Sequence, residues 1–217
     1  TSVQQEHFAS ALAIRRLNAL IAAAPAPSRN GKLLVACPPR ENHTFSALLV
    51  TLFLRQRGWD VVYLGANVPL ERLNETVQST RPNLVILTAM QLHTAAELYE
   101  MSLNLQMLDV PVAYGGLIFS LLPELRERIP AAFLGESLED VVQAVENLLA
   151  QPQIAPQVEP IGEEYSLALQ HFEERLPLVE AYLWQKIQTN GLKEYHLSIA
   201  NETLARDINA SLRLGDL

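Results

Sequence analysis

Glu41 and His43 stand two residues apart in VACPPRENHTFSALLV, residues 35–50, where one apolar run stops and another begins. A neutral imidazole can ligate a metal through one ring nitrogen while its other N–H donates to a carboxylate. That bond fixes the tautomer and raises basicity. On an irregular stretch, Glu41 is close enough to accept it. The same pair also suits a solvated loop histidine, or one that caps the next helix, and taken alone it favours that plainer reading. Other chemistries lack their residues. His7, His43, His93, His171 and His196 show neither HExxH nor CxxC spacing, which argues against zinc. Cys37-Pro38-Pro39-Arg40-Glu41 stands where a dinucleotide fold wants GxGxxG, and neither a GxxxxGKS/T phosphate loop nor a GxSxG nucleophile elbow occurs. Cys37 ends an apolar run, which marks it as a core thiol rather than a nucleophile.

The elements around this loop alternate. VQQEHFASALAIRRLNALIAAA (3–24) reads as a helix that APAPSRNG ends. KLLVAC (32–37) is a short continuous apolar run, as expected for a strand covered on both faces. Strands are likewise expected at 60–65, 83–89, 110–116 and 131–136, with helices at 44–57, 70–80, 93–108, 120–129 and 137–150. Gly58 is placed to close the helix before it, and Ser137 with Asp140 to cap the last one. Repeated strand-then-helix units imply an α/β fold with a flavodoxin-like, five-stranded parallel sheet and helices on both faces, because parallel neighbours need crossovers. Such sheets bind ligands beyond the carboxyl ends of their strands, where the Glu41–His43 loop falls. A response-regulator receiver would need an aspartate at the end of the third strand, but Thr88-Ala89 stands there.

With those elements in place, Glu41-Asn42-His43-Thr44-Phe45-Ser46 resembles the DxHxxG loop of cobalamin-binding domains. Thr88-Ala89-Met90 resembles that family's SxL element, Gly115-Gly116 its GG pair, and LGANVP (64–69) its DLGxDVP-type stretch. Glu6-His7-Phe8 and RQRGWDVVYLGANVPLERL (55–73) narrow the resemblance to CarH/LitR-type, MerR-family light-sensing transcriptional regulators, over about residues 4–150. The resemblance implies cobalamin as cofactor, adenosylcobalamin in preference to methylcobalamin, with His43 as the lower cobalt ligand and Glu41 as its orienting acid. It implies that the displaced nucleotide tail threads between the first and third strands. Asn42, Thr44, Phe45, Ser46, Val68, Thr88, Ala89, Met90, Gly115, Gly116, Leu117, Gly135 and Glu136 would lie around the cofactor, and Glu6 and His7 would face the upper ligand. Glu41 stands where the family has Asp, Ser46 where it has Gly, and Met90 where it has Leu. The alternatives are a corrinoid methyl carrier of a methyltransferase system, which would share the His43 loop, and a degenerate domain that serves only for protein interaction. In neither regulator nor interaction domain would the chain itself be an enzyme.

A net charge of −8 with a pI near 5.1 argues against this chain gripping nucleic acid, so DNA would be reached only through a segment outside it. A single cysteine cannot form an internal disulfide, and no apolar run approaches the ~20 residues that span a bilayer. A cytoplasmic protein away from membranes is expected. The chain begins at Thr1 rather than Met, so residues 1–30 are expected to end a helical bundle that starts upstream. Residues 31–151 form the expected cobalamin domain, proline-rich 152–164 a linker, and 165–217 a helical extension. In that extension, helices are expected over 165–189, interrupted near Pro177, and over 202–214, with Trp184 in the core. A homo-oligomer is the expected assembly.

Overall fold

A computed structural model describes residues 3–151, 156, 158–190 and 194–215, without the side chains of Val3, Glu6 and residues 194–198. It divides into two compact units, Thr1–Gln157 and Val158–Leu217. In the first, helix α1 (Val3–Ala22) precedes β1 (Lys32–Ala36), α2 (Phe45–Gln56), β2 (Asp60–Gly65), α3 (Leu70–Thr80), β3 (Leu84–Thr88) and α4 (Leu92–Met107). Then come β4 (Val112–Gly115), the short α5 (Ile118–Leu121), a 3₁₀ turn (Pro123–Glu127), β5 (Ala132–Phe133) and α6 (Leu138–Ala150). All strand pairs are parallel, in the order β2-β1-β3-β4-β5. The chain reverses its direction of travel at β1, so the loops after β1 and β3 diverge at the carboxyl edge and open the crevice where this fold class binds ligands.

Continuous apolar strands follow from burial on both faces. Leu33, Val35, Leu84 and Ile86 join a core with Ala47, Val50 and Leu54 of α2 and Val141, Val142 and Val145 of α6. The alternate residues Leu34, Val85 and Leu87 point the other way and are fully buried, as are Leu73 of α3 and Leu98 and Leu105 of α4. Helix α2 is covered on its second side by α1, where Leu17 and Ile21 meet Leu48 and Leu52. Gly58, at φ +86°, turns the chain out of α2 into β2. Trp59 packs in the core beside it with the Arg29 guanidinium over its ring. Ser137 and Asp140 make the reciprocal cap at the start of α6.

Five expectations are corrected in this unit and the next. No single helix spans 120–129. Pro123 has no N–H to give and drives Leu122 out of the helical region, to φ −126° and ψ 78°, so α5 stops and a 3₁₀ turn replaces the rest. The last strand is two residues long, because Gly135 turns the chain at φ +98°. In the second unit, α7 (Glu163–Thr189) runs unbroken through Pro177, which is exposed. Helix α8 (Glu194–Leu214) begins eight residues before the 202 start read from sequence and packs against α7, with Asn209 Nδ2 donating to Glu173. Trp184 is 40% exposed and is not core. Of the proline-rich segment, residues 152–155 and 157 lie outside the described residues, and 163–164 belong to α7.

Candidate functional site

The β1–α2 loop is folded by a tight turn and tied to its neighbour. Glu41 N donates to the Pro38 carbonyl at 3.0 Å across a turn whose third residue, Arg40, takes φ +65°. Asn67, itself left-handed, accepts from Arg40 N through its side chain at 2.8 Å and donates from its backbone to the Glu41 carbonyl at 3.0 Å. Val68 N donates to the Cys37 carbonyl at 3.0 Å. The β2–α3 loop therefore braces the whole turn and directs the Glu41 side chain inward.

Glu41 is fully buried, and each of its carboxylate oxygens receives two donors. Oε1 accepts from His43 N at 2.8 Å and lies 2.7 Å from His43 Nδ1. Oε2 accepts from Met90 N and from the Thr94 hydroxyl, both at 2.7 Å. Burial pushes the acid's pKa up, but hydrogen bonds from Thr94, the His43 and Met90 backbones and the His43 ring outweigh it and hold the pKa below its ordinary value. Glu41 therefore stays ionised. An ionised carboxylate only accepts, so Nδ1 carries a proton, and in the neutral imidazole the lone pair is therefore on Nε2. The His43 side chain is 57% exposed, so this basic nitrogen sits on an open surface above the strand ends. The arrangement is that of an imidazole prepared to ligate a metal supplied from outside.

Beside the loop lies a groove of about 300 Å³, near the small end of ligand sites. Eight of the singled-out residues line it: Ser46, Thr88, Met90, Gly115, Gly116, Leu117, Gly135 and Glu136. It does not thread between β1 and β3, which hydrogen-bond directly to each other. Its walls are α2, the ends of β3 and β4, and the segment from Leu134 into α6. Ser46 and Met90 meet there at 3.8 Å (Oγ to Sδ), and the nearly buried Thr88 hydroxyl lies 3.6 Å from Cys37 Sγ. A Cβ on Gly115 would meet nothing within 4 Å, so a larger side chain there would project into the groove. Gly116 is different: at φ +128° a Cβ would run into the Ala89 carbonyl. Ala89 and Val68 are buried behind the site, the first under Gly116 and the second as part of the brace. Asn42 and Phe45 are exposed beside His43, with Asn42 Nδ2 donating to Arg40 O at 3.4 Å, and Thr44 is the half-exposed residue before α2. His7 is exposed on α1, and the Glu6 side chain lies outside the described residues.

Sequence reasoning missed Thr94, Asn67 and Arg126. Thr94 reads as an ordinary first-turn residue of α4 and lies 53 positions from the acid it serves. Arg126 grips Glu136 at 2.5 Å on the groove rim. The donor set fits a corrinoid: one pre-oriented imidazole nitrogen on an open face, beside a groove that Gly115 leaves clear of side chain.

The comparisons agree with that fit. The family model for the B12 binding domain matches residues 31–145. HTH-type transcriptional repressor CarA of Myxococcus xanthus is 33% identical over 163 residues, 71% of this chain and 54% of that protein. HTH-type transcriptional repressor CarH of the same organism is 34% identical over 118 residues, 53% of this chain and 39% of that one. The chain thus matches about half or less of the length of these curated relatives. The monomethylamine corrinoid protein of Methanosarcina barkeri superposes with a TM-score of 0.50 at 20% identity, over 60% of this chain and 63% of that one, a likeness of fold.

Proposed function

This chain belongs to the B12-binding domain family, and from that premise we propose that it is the cobalamin-binding sensory part of a light-responsive transcriptional regulator. His43 is the lower axial ligand and Glu41 the acid that orients it. The observation that carries this reading is the Glu41 carboxylate. Fully buried and held by four donors, it fixes the imidazole tautomer with Nε2 outward. The groove between α2 and α6 receives the nucleotide tail that His43 displaces. Adenosylcobalamin is preferred to methylcobalamin, on the resemblance of Glu6-His7-Phe8, and supplies a light-sensitive cobalt–carbon bond. The chain's own residues bind and orient the cofactor. No catalysis is assigned to them.

The matched relatives are both named as repressors, which favours a regulator over a methyl carrier. DNA is contacted through a segment outside this acidic chain, and the protein works as a cytoplasmic homo-oligomer. Among the described residues no helix is long and apolar enough to cross a membrane.

Absorbance spectra of the chain mixed with adenosylcobalamin, in darkness and after illumination, test the proposal. Binding with a histidine-ligated spectrum that changes on illumination is expected. Stable binding with methyl exchange and no light response would favour the carrier instead. His43→Ala should weaken binding and abolish the histidine-ligated spectrum. A variant that binds with an unchanged spectrum would refute the ligand assignment.

A further inference from the structure

Glu136 is the one ionisable side chain among the residues that line the groove. It is 62% exposed in its side chain, yet it is not loose. Arg126 Nη2 holds its Oε1 at 2.5 Å. Arg126 is itself fixed, because Nε donates to the Phe119 carbonyl at 2.8 Å and the guanidinium lies 4.2 Å over the Phe133 ring. That leaves Oε2 as a pre-positioned acceptor at the rim. Deeper in, Leu49, Val50, Ile86, Leu134 and Leu138 make an apolar slot suited to a flat base.

Resting on the cofactor reading above, we propose that Glu136, clamped by Arg126, accepts a hydrogen bond from a ribose hydroxyl of the corrinoid's nucleotide tail and so sets the direction in which the tail enters. The tail offers three chemistries. Its phosphodiester is an anion with acceptors only and is repelled by a carboxylate. A dimethylbenzimidazole base has no N–H donor. The ribose hydroxyl is the complementary group, and it is adjacent to both. The base then occupies the apolar depth, the sugar sits at the rim, and the phosphate remains in solvent beyond Glu136. Because Arg126 has already ordered the carboxylate, binding costs it little side-chain freedom.

Titration of the full chain with cobalamin, with cobinamide, which lacks the nucleotide, and with a cobamide carrying adenine as lower base tests this. Glu136→Ala should weaken cobalamin about tenfold, the loss of one charged acceptor, and leave cobinamide unchanged. Arg126→Met should show the same split with a smaller loss, since the carboxylate remains but roams. A thermal melt of each variant checks the fold. Equal losses for cobalamin and cobinamide, or no loss for either, overturn the assignment. A loss confined to the adenine cobamide overturns it too, because the base amine would then be the donor. A wild-type chain that binds cobinamide as tightly as cobalamin removes the groove's role while sparing the axial ligand. A wild-type chain that binds no corrinoid sinks the cofactor reading, and this inference with it.

Discussion

Replacing Glu41 with glutamine keeps the shape of the side chain and removes one acceptor. The carboxylate satisfies two donors on each oxygen: His43 N and Nδ1 on one side, Met90 N and the Thr94 hydroxyl on the other. An amide has one oxygen. Turned toward His43, it leaves its NH2 facing Met90 N–H, a backbone donor that cannot reverse, while the Thr94 hydroxyl can rotate and accept. One buried N–H is then orphaned, at about 1–3 kcal/mol, and the remaining bonds lose their ionic assistance. A total loss of roughly 2–4 kcal/mol is expected at neutral pH, large against the 5–15 kcal/mol of an ordinary domain. The pH dependence supplies the sign. The folded-state pKa of Glu41 lies below its ordinary 4.5, so its contribution is fully present above that value and is lost as pH falls through the lowered one. Urea denaturation of wild type and Glu41→Gln at pH 7 and at steps below 4.5 should give two stabilities that converge on acidification. A Glu41→Gln loss under about 0.5 kcal/mol at pH 7, or a constant difference across the acid range, would refute the account of the buried carboxylate.

Thr94→Val removes one donor but leaves Met90 N on Oε2, so a loss of about 1–2 kcal/mol in urea midpoint analysis is expected. Its cobalamin affinity should also fall, by up to 10–100-fold, as for other changes behind a metal ligand. The two adjacent glycines should part company. Gly115→Val should melt close to wild type, since a Cβ there meets open space, but should lose cobalamin in equilibrium binding while cobinamide is retained. Gly116→Ala should lower the melting temperature sharply, because it combines a φ of +128° with collision against the Ala89 carbonyl. Equal melting temperatures for the two variants would refute the contrast.

The sheet was legible because a strand covered on both faces leaves a plain mark. KLLVA, DVVYLG and LVILT stand as apolar runs between punctuation, and their observed limits fall within one residue of the expected ones. Legibility failed where one backbone detail outvotes composition. Apolar content suggests a helix through 120–129, but the missing N–H of Pro123 decides otherwise. Pro177 carries the same mark in sequence, yet α7 continues through it. A proline in the sequence therefore does not by itself say whether a helix ends there or runs on. Trp184 misled in the same manner: a large apolar residue on an amphipathic helix reads as core, yet a hairpin of two helices has little interior to offer.

The candidate site divides along the same line. The contact between Glu41 and His43 spans two residues, so the sequence shows that it is available, although the pair reads as a metal site only beside the other motifs. The bonds that make the contact rigid come from Met90 and Thr94, 49 and 53 positions away, and from a brace contributed by Asn67. These become visible only when β3 is laid beside β1. The groove carries the point further. Its glycines announce themselves in sequence, but its walls come from α2 and α6, and the residue that orders its one charge, Arg126, lies in a 3₁₀ turn that no periodicity signals. Local pairs reveal what chemistry is available, whereas topology decides how firmly it is held. Variants of Thr94 and Arg126 therefore probe the fold's own contribution to the site more directly than variants of His43 do.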